Sequence, residues 1–210
     1  MADRARPPAR GGLRERKKAQ TRRSIQAHAL RLFLDRGYDG TTVEEIAAAA
    51  GVSHMTFFRY FPTKEAVVVS DGYDPMIAGL IAERPPEEDA LTALHRALDE
   101  GLARVYEADR EALFVRTRLV LTTPALRARQ WRDQHATEKL FADALTERRP
   151  AEDPFRIRVL AAASLAAVTT ALTVWVEGEG ARRLPALVDE AFGALRSPCG
   201  GAPRQREGPN

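Results

Sequence analysis

Between Thr42 and Lys64 the chain sets out hydroxyl, imidazole and cationic side chains at intervals that suit hydrogen bonding to a polyanion. Ser53, His54, Met55 and Thr56 follow Ala50-Gly51-Val52 and open a short helix that must stop before Pro62. Ser53 is suited to the N-cap, where its oxygen accepts from an amide in the first turn. His54, Met55 and Thr56 then project from that turn, and the free amides and dipole of a helix N-terminus attract phosphate. Upstream, Thr42 and Glu45 have capping-box spacing, with Thr oxygen to the third amide and Glu back to the cap amide. That predicts a first short helix from Thr42 through Ile46 and four alanines to Gly51. Two short helices bent at a glycine form a helix-turn-helix, whose second helix can enter a DNA major groove.

Bond-making chemistry has no such support. His28, His54, His95 and His135 form no close ligand pair, and His-Glu-x-x-His, Gly-x-Ser-x-Gly and a glycine-rich phosphate loop are all missing. Glu44 and Glu45 are neighbours rather than same-face partners, and the capping box uses one of them. No enzymatic activity, metal or cofactor is therefore expected. Cys199 is the sole cysteine, so no disulfide forms within one chain and a reducing, cytoplasmic setting is expected. The N-terminal arginines lack a following apolar core, which argues against a secretory signal.

Charge points the same way as the helix pair. Through Glu65 the chain has 13 Lys/Arg against 7 Asp/Glu, and beyond it 19 against 22. A basic first third suits a polyanion, whereas the rest has another task. Hydrophobic residues make up 44%, enough to fill a core.

The elements that must position these residues are helical throughout, since strand-like alternation is scarce. A first helix is expected from about Leu13 to Arg36, with Ile25, Ala29, Leu32 and Phe33 on one stripe and Arg14, Lys18 and Arg22 on another. A fourth helix opens at Thr63. Further helices are expected over Glu87–Ala108, Asp109–Leu121, Pro124–Arg148, Pro154–Glu177 and Leu184–Leu195, punctuated by prolines and by Gly178-Glu179-Gly180. Residues 1–12 and 197–210 have almost nothing to bury and are expected to be disordered. The expected organisation is a DNA-binding domain over 13–68 and a larger helical domain over 69–196.

Thr42-Val43-Glu44-Glu45-Ile46-Ala47, Gly51-Val52-Ser53 and the run Thr56 to Glu65 closely resemble the signature of TetR-family regulators. Arg22, Ile25, Ala29, Leu32, Phe33, Gly37, Tyr38 and Thr41 continue the match. Tyr73-Asp74-Pro75 and the region from Pro154 to Leu195 are similar to the subfamily that includes the mycofactocin-system regulator. The resemblance implies that Thr42 contacts phosphate and that Ser53, His54, Met55 and Thr56 meet base edges and nearby phosphates. It further implies that Phe58, Arg59 and Tyr60 lie on the groove-facing and flanking surface, and that Lys64 holds a phosphate. Phe57 and Phe61 look like core. Phe58 stands where the pattern often has Tyr, which removes one hydroxyl contact, and Met55 where it often has a small residue.

The resemblance also implies that the second domain makes a homodimer and holds a small-molecule effector. Leu160 to Val176 is charge-free for 17 residues, short of a bilayer span, and its alanines allow close helix approach. A buried interface helix fits it better than a membrane. Tyr106, Phe114, Arg116, Trp131, His135, Phe141 and Trp175 are large or polar groups on the middle helices that could line a cavity. The expected function is an operator-binding repressor released by its effector. A TetR-fold activator and a ligand-independent DNA-binding protein remain alternatives.

Overall fold

The computed structural model describes residues 10–70 and 72–197. Among them all regular structure is helical: α1 (Arg10–Arg36), α2 (Val43–Ala49), α3 (His54–Tyr60), α4 (Lys64–Val69), α5 (Tyr73–Ala82), α6 (Ala90–Thr122), α7 (Pro124–Arg148), α8 (Pro154–Glu177) and α9 (Leu184–Arg196). Among the described residues two compact units share these helices, one of residues 10–70 with 118–130 and one of 72–117 with 131–197. The segments expected to be disordered lie outside the described residues, except that α1 already begins at Arg10 and that Ser197 caps α9.

The N-terminal unit closes around Ile25, Ala29 and Phe33 of α1, Ile46 and Ala47 of α2, Phe57 of α3, Phe61, and Ala66, Val67 and Val68 of α4. These positions recur at helical spacing, so each short helix buries one stripe and turns the other outward. Leu126, at the start of α7, is fully buried in the same core, with Leu119 and Val120 packed against it. This sequence-remote wedge has no counterpart in the expected domain at 13–68.

In the C-terminal unit α8 packs against α9, and Ala161, Ser164, Ala167, Val168 and Ala171 of the one and Leu184, Leu187, Val188 and Phe192 of the other are buried. The division expected between Glu87–Ala108 and Asp109–Leu121 is present: α6 is interrupted at Asp109, whose backbone (φ −161°, ψ 79°) is not helical and separates two helices. The Asp109 carboxylate accepts from the Ala112 amide at 2.9 Å, so the residue caps the second half of α6 as it would cap a separate helix. Helix α5 has no sequence-level expectation. It starts at Gly72 (φ 78°) without a side-chain cap and is held by burial of Ile77, Ala78 and Ile81. Its Asp74 accepts from the Thr137 hydroxyl at 2.7 Å.

Candidate nucleic-acid interface

The reading face is built from caps and one left-handed turn. Thr42 accepts from the Glu45 amide at 3.2 Å, and its own amide donates to Glu45 Oε2 at 2.8 Å. Arg36 joins Glu45 Oε1 at 2.8 Å. The backbone amide of Thr42, then its hydroxyl and the Arg36 charge, hold the Glu45 carboxyl below its ordinary value against some desolvation. After α2 the backbone turns at Gly51 with φ 66°, a conformation that costs a residue with a Cβ and spares glycine. Ser53 then caps α3, accepting from the Thr56 amide at 3.1 Å and donating to the Thr56 hydroxyl at 3.0 Å.

Helix α3 divides cleanly. Phe57 and the following Phe61 are wholly buried, while Met55, Phe58 and Arg59 away from them and His54 in the first turn are exposed. Thr56 and Tyr60 are half-buried at the flanks. Met55 is 78% exposed and Phe58 39%, unusual for apolar groups of this size on a short, well-packed helix. His54 lies 3.1 Å from Glu44 across the turn and edge-on to Phe58 at 4.7 Å. The Arg59 guanidinium stands 5.6 Å from the Tyr60 ring centre. Donors, a cation and two apolar groups thus leave one rigid face together, a mixture that can meet base edges, phosphates and thymine methyls.

Lys64 sits differently from what a phosphate contact alone would require. Its Nζ donates to the Tyr38 and Thr41 carbonyls at 2.8 and 2.9 Å and lies 4.1 Å from the Tyr38 ring centre. The ammonium therefore ties α4 to the α1–α2 turn and keeps one N–H beyond those two bonds. Arg22 has a comparable joining role that the sequence pattern left among general basic residues. It donates to the Tyr60 carbonyl at 3.2 Å and the Ser70 carbonyl at 2.5 Å, with its guanidinium 4.4 Å from the Phe61 ring centre. No periodicity announces such bonds, which link residues 38 and 48 positions apart.

The seven effector candidates separate in the C-terminal unit. Tyr106, Phe114 and Trp175 come together, with Trp175 5.8 Å from Tyr106 and 5.2 Å from Phe114 between ring centres. Arg110, absent from the expected set, completes the group by donating to Tyr106 Oη at 3.1 Å and to the Gly180 carbonyl at 2.8 Å. A Cβ on Gly180 would stand 2.8 Å from Arg110 Nη2, so glycine permits this approach. The buried Trp175 Nε1 and Ser164 Oγ have no hydrogen-bond partner among the described residues. Arg116 faces the Tyr73 ring at 5.5 Å, and Phe141 is buried. Trp131 is 77% exposed, and His135 is exposed on a groove of about 420 Å³ with Glu138, Lys139, Asp143, Thr146 and Arg158. The last two candidates therefore stand apart from the aromatic cluster.

An all-helical chain with this outward-facing α3 is a helix-turn-helix DNA-binding protein. Residues 25–70 match the model of bacterial regulatory proteins of the tetR family, and residues 88–200 match the MftR C-terminal domain. The transcriptional regulator TcmR of Streptomyces glaucescens is 36% identical over 160 residues, covering 72% of this chain and 71% of that protein. The chain belongs to the TetR family of transcriptional regulators and is not an enzyme. The fold is also that of the fatty acid degradation regulator FadR from Bacillus halodurans (TM-score 0.57, 23% identity, 83% of this chain and 94% of that one). The Thermus thermophilus FadR repressor, solved with lauroyl-CoA, has the same fold (TM-score 0.53, 24% identity, 86% and 100% covered).

Proposed function

We propose that this chain is a cytoplasmic homodimeric repressor that holds a palindromic double-stranded operator through α3 and releases it on binding a small, largely apolar effector. The observation that carries the DNA reading is the exposed face of His54, Met55, Phe58 and Arg59 over the buried Phe57. One seven-residue reading helix spans few base pairs, so specificity favours two copies on two half-sites. Helix α8 supports a dimer, because Phe155, Val159, Ala166 and Val174 are exposed along one side of it while Ala161, Val168 and Trp175 face the core. The same helix is long and apolar enough to cross a bilayer by length and composition, but its buried face already packs within the unit. Thr42, Ser53, Thr56, Tyr60 and Lys64 complete the DNA-facing set, the last through its remaining N–H.

For the effector, Tyr106, Phe114 and Trp175 offer aromatic faces, and Trp175 Nε1 and Ser164 Oγ offer unpartnered donors for a carbonyl oxygen. An acyl thioester has both an apolar chain and such a carbonyl, and lauroyl-CoA is the ligand of the Thermus thermophilus relative in fold. To release DNA the effector must prefer the non-operator state. A preference of about 3 kcal/mol lowers operator affinity roughly a hundredfold, and DNA must weaken effector binding equally.

The test begins with a duplex selected from a random library against the purified protein, followed by titration with lauroyl-CoA. Enrichment of a two-fold symmetric sequence and a dimer in sedimentation are expected, with Val159→Glu shifting the protein toward monomer. Failure to enrich any sequence sinks the regulator reading. Equal lauroyl-CoA affinities with and without duplex sink that effector alone.

A further inference from the structure

We propose that the first half of α1 is a second DNA contact, in which Arg14, Lys17 and Lys18 hold backbone phosphates flanking the base pairs met by α3. This rests on the DNA-binding reading above and extends it to residues outside the helix-turn-helix.

Helix α1 is 27 residues long, but its first core residue is Ile25. Residues 14–20 are all exposed, and packing begins only at Thr21 and Arg22, about two turns beyond Arg14. Arg14, Arg16, Lys17, Lys18, Arg22 and Arg23 carry six positive charges in ten residues, against Glu15 alone. Folding gives no reason for this placement. Cations at the N-terminal end of a helix oppose its dipole, and Arg14–Lys18 and Lys18–Arg22 are like-charge pairs at i, i+4. Among the described residues no ion pair joins Arg14, Arg16, Lys17 or Lys18 to a carboxylate.

The direction of the stripe selects its occupant. At about 100° per residue, Arg14, Lys18 and Arg22, expected from the sequence to form a separate stripe, instead continue the side of α1 that Ile25, Ala29 and Phe33 bury against α2, α3 and α4, and Lys17 flanks Arg14 about 60° beyond it. The core-facing stripe thus becomes basic where the core ends. At the junction Arg22 donates to the Tyr60 carbonyl at the last residue of α3 and stacks on Phe61. From there Arg14 lies about 12 Å further along the axis. The charge is continuous with the end of the reading helix, complementary to phosphate, and on the unpacked extension of the face that grips α3. Arg16 and Arg23 lie on the opposite face and take no part.

The test uses the full chain and the library-selected duplex, with affinity measured by anisotropy across a salt series. Replacing Arg14, Lys17 and Lys18 together with Gln, a good helix former, should leave helicity unchanged. It should reduce the magnitude of the slope of log affinity against log salt by about three units, near 0.9 for each lost contact. The wild type should also lose affinity when flanking base pairs are trimmed from the duplex, and the triple variant should not. Arg16→Gln should alter the slope by less than one unit. An unchanged slope in the triple variant, or an equal change from Arg16→Gln alone, overturns the proposal while operator binding by α3 stands. Loss of binding to phosphatidylglycerol vesicles with the DNA slope unchanged would overturn it in favour of a lipid surface. A wild type that enriches no duplex overturns the regulator reading instead.

Discussion

Each short helix of the N-terminal unit starts at a hydroxyl that caps it: Thr42 for α2, Ser53 for α3 and Thr63 for α4. In the C-terminal unit α5 and α9 start at Gly72 and Arg183 with no side-chain cap bond, although Asp153 caps α8 and Asp109 the second half of α6. Helices of six or seven residues cannot persist on their own, so each needs its end satisfied locally and its single apolar stripe buried. Longer helices gain more from burial, so α5 and α9 form without a cap. A DNA reader meets a ligand of fixed geometry and therefore tolerates little variation in length or bend. An effector-binding domain is shaped by its core, which many apolar sequences can fill.

Core truncations are the strongest way to break this comparison. Phe57→Ala and Trp175→Ala each remove a fully buried ring and should cost about 3–5 kcal/mol in denaturant unfolding. Phe57→Ala is expected to abolish DNA binding, and Trp175→Ala to abolish effector response. A Trp175→Ala variant of wild-type stability would show the second core to be loosely packed and the contrast misplaced.

Gly51→Ala should come next, at roughly 1–2 kcal/mol, from the left-handed backbone alone. Nothing lies within 4 Å of the added Cβ, so a larger loss would reveal a steric cost absent from the structure. Ser53→Ala and Thr42→Ala should each cost about 1 kcal/mol by thermal unfolding and weaken DNA binding more than stability explains. An equal cost from Arg183→Ala, at an uncapped start, would erase the distinction between the units.

The smallest effects are pH-dependent and opposite in sign within the C-terminal unit. Hydrogen bonding from Arg84, with the charges of Arg84 and Arg96, holds the Glu88 carboxyl below its ordinary value despite desolvation. Its stabilisation is present above the unfolded carboxylate range, about 4.3, and is lost as pH falls through the lower folded value. Burial, then Asp189, raises the Asp99 carboxyl, with His95 opposing. Its ionised form is destabilising at neutral pH, and that burden lifts as pH falls through the raised folded value. Asp99→Asn should therefore raise the melting temperature slightly at pH 7 and lose the benefit in acid. Glu88→Gln should lower it at pH 7. A melting temperature unmoved by both, across pH 3 to 7, would remove these carboxylates from the stability of the unit.

Everything that depends on neighbours three or four residues away was readable from the amino-acid order. The Thr42–Glu45 box, the Ser53 cap, the Gly51 bend, the stop before Pro62 and the exact extents of α7 and α8 belong to this class, because caps, turns and prolines act within one helical turn. The literal match around Thr42 to Glu65 carried the family for the same reason. Periodicity shows that a residue lies on a face but not what that face meets, and there the tertiary structure decided. It drew Leu126 into the N-terminal core, turned the Lys64 ammonium onto two carbonyls and brought Arg110 to the Gly180 carbonyl, while leaving Trp131 and His135 exposed. Helix α5 also depended on it, since a helix without a cap forms only when Ile77, Ala78 and Ile81 find a surface to bury against.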